Sequence, residues 1–229
     1  MSYFKYDSHF PMNNTSQYGD DDLRKAANKF LKKYNLFQFD LNKWYNKAYN
    51  AVSFIITLNG GRNDEWKRIA FMWNNKNSEQ LKEDIFNLLK ELTVAEVVYK
   101  IGELARDYEL PVGIVQKIVS LLIKYIFCHY VVFGDSLPNA AANTFTWVKD
   151  EKVVGKLPIP IDSKVLCSLS KMGNTSLNIT EYRGIVKIGG IPWSRIGLDD
   201  YKKIQDTVRK LSVECKMSPI EFEIKKLWK

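Results

Sequence analysis

Just after Pro111 the chain enters its longest apolar stretch, with a lysine near its start. Residues 113–130 read as the most apolar helix of the sequence, Gln116-Lys117 followed by IVSLLIKYIFCHY. A helix apolar on most of its sides has to be covered, by protein or by lipid. Lys124 and His129 interrupt the run around 118–133, so it is expected to pack inside protein and not to span a membrane.

The flanking sequence is also mostly helical. Residues 22–34 give an amphipathic helix through Leu23, Ala27, Phe30 and Leu31. Asp40 is placed to cap a helix over 41–58, which Gly60-Gly61 ends. A helix follows over Glu65–Trp73. Asn77 with Gln80, and Thr93 with Glu96, mark two more starts. Residues 131–157 carry β-branched and aromatic residues among turn formers, which predicts a long loop or a small hairpin excursion. A helix resumes after Pro160 to about Ser170, and a short strand is expected over Gly184–Ile188 within a second loop. Helix 199–215 and a last helix complete the chain. The last one opens on Ser218 at N-cap, Pro219 at N1 and Glu221 at N3, and is expected to run to Trp228. Residues 1–20 read as an N-terminal arm and 21–229 as a single mainly α unit, with lobes at about 21–110 and 111–229 around a cleft.

Lys+Arg 34 against Asp+Glu 26 leaves a net charge of +8, which favours a polyanionic partner, while membranes and acidic proteins remain open on charge alone. Three scattered cysteines and two histidines offer no metal-ligand spacing, so no metal and no cofactor are expected. MSYFKYDSHF lacks an apolar core of signal-peptide length, and a cytoplasmic location and a monomer are expected. No Walker loop, GxGxxG, HExxH or Ser-His-Asp pattern is present.

Two segments could carry chemistry. Lys117 shares a helix face with Ser120, Leu121 and Lys124. Apolar surroundings and a second ammonium nearby both favour a neutral amine able to attack a sugar carbon. A lysine lying along an amphipathic helix would look the same. In Leu157-Pro158-Ile159-Pro160-Ile161-Asp162-Ser163-Lys164-Val165, the proline fixes the entry angle and sets Asp162 at a helix N-terminus, where it stays ionised. There it can support a developing sugar cation or take a proton, or it is an ordinary cap. Ser163, Lys164, Lys124 and Arg195 are candidate contacts to a DNA backbone, or plain polar and charged residues. Of six tryptophans, Trp66 and Trp228 are the candidates for stacking on an extrahelical base.

Together these residues resemble the archaeal 8-oxoguanine DNA glycosylase family, an outlying branch of the helix-hairpin-helix glycosylases. The family pairs a "QKT…K" helix with an "IPIPxDSRI" segment, matched here by Gln116-Lys117 through Lys124 and by Ile159 through Val165. Ser218-Pro219 through Trp228 resembles its closing helix, and the likeness runs thinly over about residues 35–229. The resemblance implies a helix-hairpin-helix glycosylase-like fold, Lys117 as Schiff-base nucleophile, Asp162 as its acidic partner, and Trp66 and Trp228 against the flipped base. Its expected partner is double-stranded DNA carrying a modified base, with no membrane involved.

The chain departs from the family where the purine is read. A family aspartate four residues before the closing tryptophan is Ile224 here, with Glu223 beside it, and a family phenylalanine is Leu121. Leu121 and Glu223 are therefore the residues expected to contact the base in this chain. The substrate expectation covers an oxidised purine, as in repair, and hydroxymethylated or glucosylated cytosines of phage DNA, as in defence. A catalytically silent DNA-binding module is the alternative.

Overall fold

The computed structural model describes residues 20–75, 78–92, 97–134, 144–172, 177–182 and 185–227. It is mainly helical, with one small sheet. In chain order the helices are α1 (Asp21–Tyr34), α2 (Leu41–Asn59), α3 (Asp64–Asn75), α4 (Ser78–Lys90), α5 (Val97–Asp107) and α6 (Val112–Phe133). Then come a 3-10 turn (Thr146–Lys149), α7 (Glu151–Val154) and α8 (Ser163–Lys171). Three antiparallel strands follow, β1 (Ile179–Tyr182), β2 (Ile185–Ile188) and β3 (Ile191–Pro192), in the order β1-β2-β3. A 3-10 turn (Trp193–Arg195), α9 (Leu198–Glu214) and α10 (Pro219–Phe222) complete it, and α10 widens into a π turn over Glu223–Leu227.

Side chains decide where many of these helices start. Aspartates at 20, 40, 150 and 162 each accept a first-turn N–H of α1, α2, α7 and α8. Ser218 and Glu221 form the expected capping box on α10. Three helices stop alike, with the left-handed residues Asn35, Glu109 and Lys216 letting the chain turn back onto the last carbonyls. In each, the following N–H reaches back five residues, as Leu110 does to Ala105 at 2.8 Å.

The apolar helix α6 is the axle. Helices α1, α2, α4, α5 and α9 pack on it, along with both 3-10 turns. By length and hydropathy it could cross a bilayer, but 83% of its apolar window is covered by the rest of the protein. Buried residues from α1 through Leu227 form one contiguous cluster drawn from both halves of the chain.

The tract 131–157 differs from expectation. Residues 131–133 continue α6, and the described part from 144 onward is helical, with no hairpin. Its β-branched and aromatic residues are core: Trp147, Val148, Val153 and Val154 are buried, and the Trp147 indole N–H donates to the Leu89 carbonyl at 2.8 Å. Residues 135–143 lie outside the described residues, as do the starts expected at Asn77 and Thr93 and almost all of the arm 1–20. The single expected strand is a three-stranded meander, with Gly189 and Gly190, both at positive φ, closing the β2–β3 hairpin.

Candidate active site

The proline alternation at 157–161 has a structural purpose. Pro158 and Pro160 lack an N–H, so within 158–161 only Ile159 and Ile161 need partners for both backbone groups, and a glutamine supplies each. Gln116 of α6 donates to the Ile161 carbonyl at 2.9 Å and accepts its N–H at 3.1 Å. Gln205 of α9 does the same for Ile159, at 2.8 and 3.1 Å. Two buried side-chain amides thus take the place of a neighbouring strand. Leaving one such group unpaired costs about 1–3 kcal/mol, so the register of the segment is fixed and Asp162 emerges at one defined place.

That place faces Lys117. Its Nζ lies 2.6 Å from Asp162 Oδ2, while Oδ1 accepts the Val165 N–H at 3.0 Å to cap α8. Lys117 is 9% exposed and the Asp162 side chain 30%. Burial pushes the Asp162 carboxyl up. The charge and hydrogen bond of Lys117, the Val165 N–H and the charge of Lys124 outweigh it and leave the group below its ordinary 3.8.

A depressed carboxylate adds stability that is fully present above the unfolded value and is lost as pH falls through the folded one. Asp162→Asn keeps a good cap and removes the charge. The difference in melting temperature between wild type and this variant is therefore expected to stay level from pH 5 to 8 and to shrink below about 3.8. A difference that grows on acidification contradicts the assignment.

Trp193 forms the next wall, its ring centroid 5.9 Å from Lys117 Nζ. It reaches there because residue 113, one turn before Lys117, has no side chain. A Cβ on Gly113 would stand 2.1 Å from the Trp193 carbonyl oxygen and 2.8 Å from the Ser194 carbonyl carbon. Two effects oppose each other in Gly113→Ala. Helix propensity gains about 1 kcal/mol, while forcing a backbone off the helix costs about 3. The clash wins. We expect net destabilisation in denaturant melts, with Trp193 displaced from Lys117.

Beside this pair opens a cleft of about 380 Å³. Neither Lys117 nor Asp162 lines it, but Ser163, next to Asp162, does, together with Trp66, Trp193, Arg62 and Lys187. The tryptophans divide accordingly. Trp44, Trp73 and Trp147 are core, Trp66 and Trp193 wall the cleft, and Trp228 lies outside the described residues.

Other expected contacts take different places. Lys164 is exposed and Leu121 is half-buried against the core. Lys124 is 1% exposed and cannot touch a duplex; its ammonium pairs with Glu223 Oε1 at 2.7 Å, and Glu223, 2% exposed, is no cleft contact either. Both are held inward because α1, α6 and the π turn enclose them. Arg195 is not a free phosphate contact, since its guanidinium bonds both oxygens of Glu65, with Nε to Oε1 at 2.8 Å. Sequence reading passed over Gln205, Gly113, Arg62 and Lys187. Only a polar residue beside the Tyr201, Ile204, Val208 stripe and a glycine opening an apolar helix pointed toward the first two.

Among the described residues no group of three or more His, Cys, Asp or Glu side chains is placed to hold a metal ion. Comparison with protein-family models, with curated proteins and with solved structures finds no match.

Proposed function

We propose that this protein is a DNA glycosylase of helix-hairpin-helix type, with two helical lobes around the cleft, that flips a modified nucleotide out of the duplex and cuts its N-glycosidic bond. The observation that carries the reading is the 2.6 Å contact between a nearly buried lysine and a helix-capping aspartate, beside a cleft walled by two tryptophans. The basic balance of the chain, +8, supplies attraction to the phosphate backbone, which offsets the few kcal/mol that flipping costs.

The pair suits displacement at C1′. Lys117 gives up a proton, its Nζ lone pair attacks C1′, and the glycosidic bond breaks with its electrons on the departing base, which takes that proton. Asp162, kept ionised, stabilises the positive charge on the sugar and orients the amine. Opening of the sugar ring gives an imine, and water returns the amine and leaves an abasic site.

Glu223 and Ile224 are both about 2% exposed, so neither offers a polar group to a base in the cleft. This favours a base other than 8-oxoguanine, with hydroxymethylated or glucosylated cytosine of phage DNA as the leading class and an oxidised purine as the second. Borohydride trapping, with abasic-site scoring on duplexes carrying each base, tests the reading. A covalent adduct on one member is the expected result. Duplex binding with no adduct and no abasic site on any member leaves a silent DNA-binding module instead.

A further inference from the structure

The cleft beside Lys117 contains two cations and no carboxylate in its lining. Arg62 comes from the turn before α3 and Lys187 from β2. Neither side chain has a hydrogen-bond or ion-pair partner among the described residues. Lys187 stands directly opposite Pro192 across the β2–β3 pairing, and both line the cleft. Asn63 accepts the Trp66 N–H at 2.9 Å through Oδ1, which leaves its NH2 group as a donor on the same wall. Ser163 adds a hydroxyl from the first turn of α8. Trp66 and Trp193, at 5% and 8% exposure, belong to the same lining.

Another cleft, of about 310 Å³, has the opposite charge. Asp84, Glu91, Glu103 and Asp107 line it, and its Lys100 is bonded to Glu103 at 2.9 Å. That surface repels a phosphate, whereas the charged side chains lining the cleft beside Lys117 are both cations.

We propose that the cleft beside Lys117 holds a single nucleotide, its phosphate between Arg62 and Lys187 and its base against the Trp66 and Trp193 rings. A volume of about 380 Å³ suits one such unit. A planar guanidinium and an ammonium approaching from two separate elements match the tetrahedral oxygens of a phosphate. Placing the phosphate there sets the sugar toward Ser163 and hence toward the Lys117–Asp162 pair. The inference rests on the excision reading only for the strand to which the nucleotide belongs.

The test uses the full chain and free ligands, followed by tryptophan fluorescence. Deoxycytidine and deoxyguanosine 5′-monophosphates are titrated beside the corresponding nucleosides and beside inorganic phosphate. We expect the monophosphates to bind at least tenfold tighter than the nucleosides. Arg62→Gln/Lys187→Gln should bring the monophosphates down to the nucleoside level without lowering the melting temperature. Equal affinity for nucleoside and monophosphate, no monophosphate binding, or an unchanged double variant overturns the proposal. If phosphate alone binds as tightly as the monophosphates, the aromatic half of the site is wrong and the proposal falls. The two readings fail separately. Nucleotide binding without excision of any base removes the glycosylase and keeps the cleft. Excision that is unchanged in kcat and KM in the double variant removes the phosphate clamp and keeps the glycosylase.

Discussion

Lys117→Ala is expected to abolish borohydride-trapped adduct and to lower base excision by roughly 10³-fold or more, the scale on which single catalytic groups act. Lys117 sits at 9% exposure with its amine 2.6 Å from Asp162, and no other lysine among the described residues is bonded to that carboxylate. Lys124, two turns further along the same helix face, is bonded to Glu223. A substitute nucleophile is therefore absent among the described residues. The variant should still fold, because Asp162 is 30% exposed and keeps its Val165 hydrogen bond when the lysine goes. Duplex binding should stay near the wild-type level, since attraction to phosphates comes from charge spread over the surface. Trapping that is equal in wild type and variant means that the amine attacking the sugar is elsewhere.

The largest stability effect is expected at the second ion pair. Glu223→Ala should cost about 3–5 kcal/mol in denaturant unfolding, because it strands the Lys124 ammonium in the interior. The pair is 2% exposed on both sides, with Nζ 2.7 and 2.6 Å from the two carboxylate oxygens. The same ammonium lies 4.2 Å from the Phe30 ring centroid. Burial pushes the Glu223 carboxyl up, and the Lys124 charge offsets this only in part. Removing both charges together, as Lys124→Met/Glu223→Leu, is expected to cost far less than Glu223→Ala, since desolvation of the two ions roughly cancels their attraction. A double variant as unstable as the single one means that the cost lies in lost volume and not in an uncompensated charge.

Several elements could be read from sequence because their signals are local. Asp40, Asp162 and Ser218 cap the helices they were expected to cap, since a capping bond spans three residues and needs no distant partner. The helix over 113–130 was legible from its hydrophobicity, though its end was set three residues too early, because nothing local stops it before Gly134. The tract 131–157 failed for the opposite reason. Trp147 belongs to a helical turn because it fills space against α4 and α6, Val153 is buried in the same core, and propensity says nothing of that space. The Gly189-Gly190 turn was present as a hairpin signal, but β1 and β3 are short strands whose pairing depends on each other.

The sequence by itself determined where α2, α8 and α10 begin, which stretch is apolar enough to be the axle, and that Lys117 and Asp162 are the candidates for an amine and carboxylate pair. Tertiary structure decided that these two meet at 2.6 Å, through two glutamines that hold Ile159 and Ile161 and a glycine that admits Trp193. It also tied Lys124, Glu223 and Arg195 into ion pairs and set Arg62 and Lys187 in the cleft lining. The physical reason is range: caps and helix faces are settled within a turn or two, whereas burial, ion pairing and clefts depend on neighbours that the chain brings from far away in sequence.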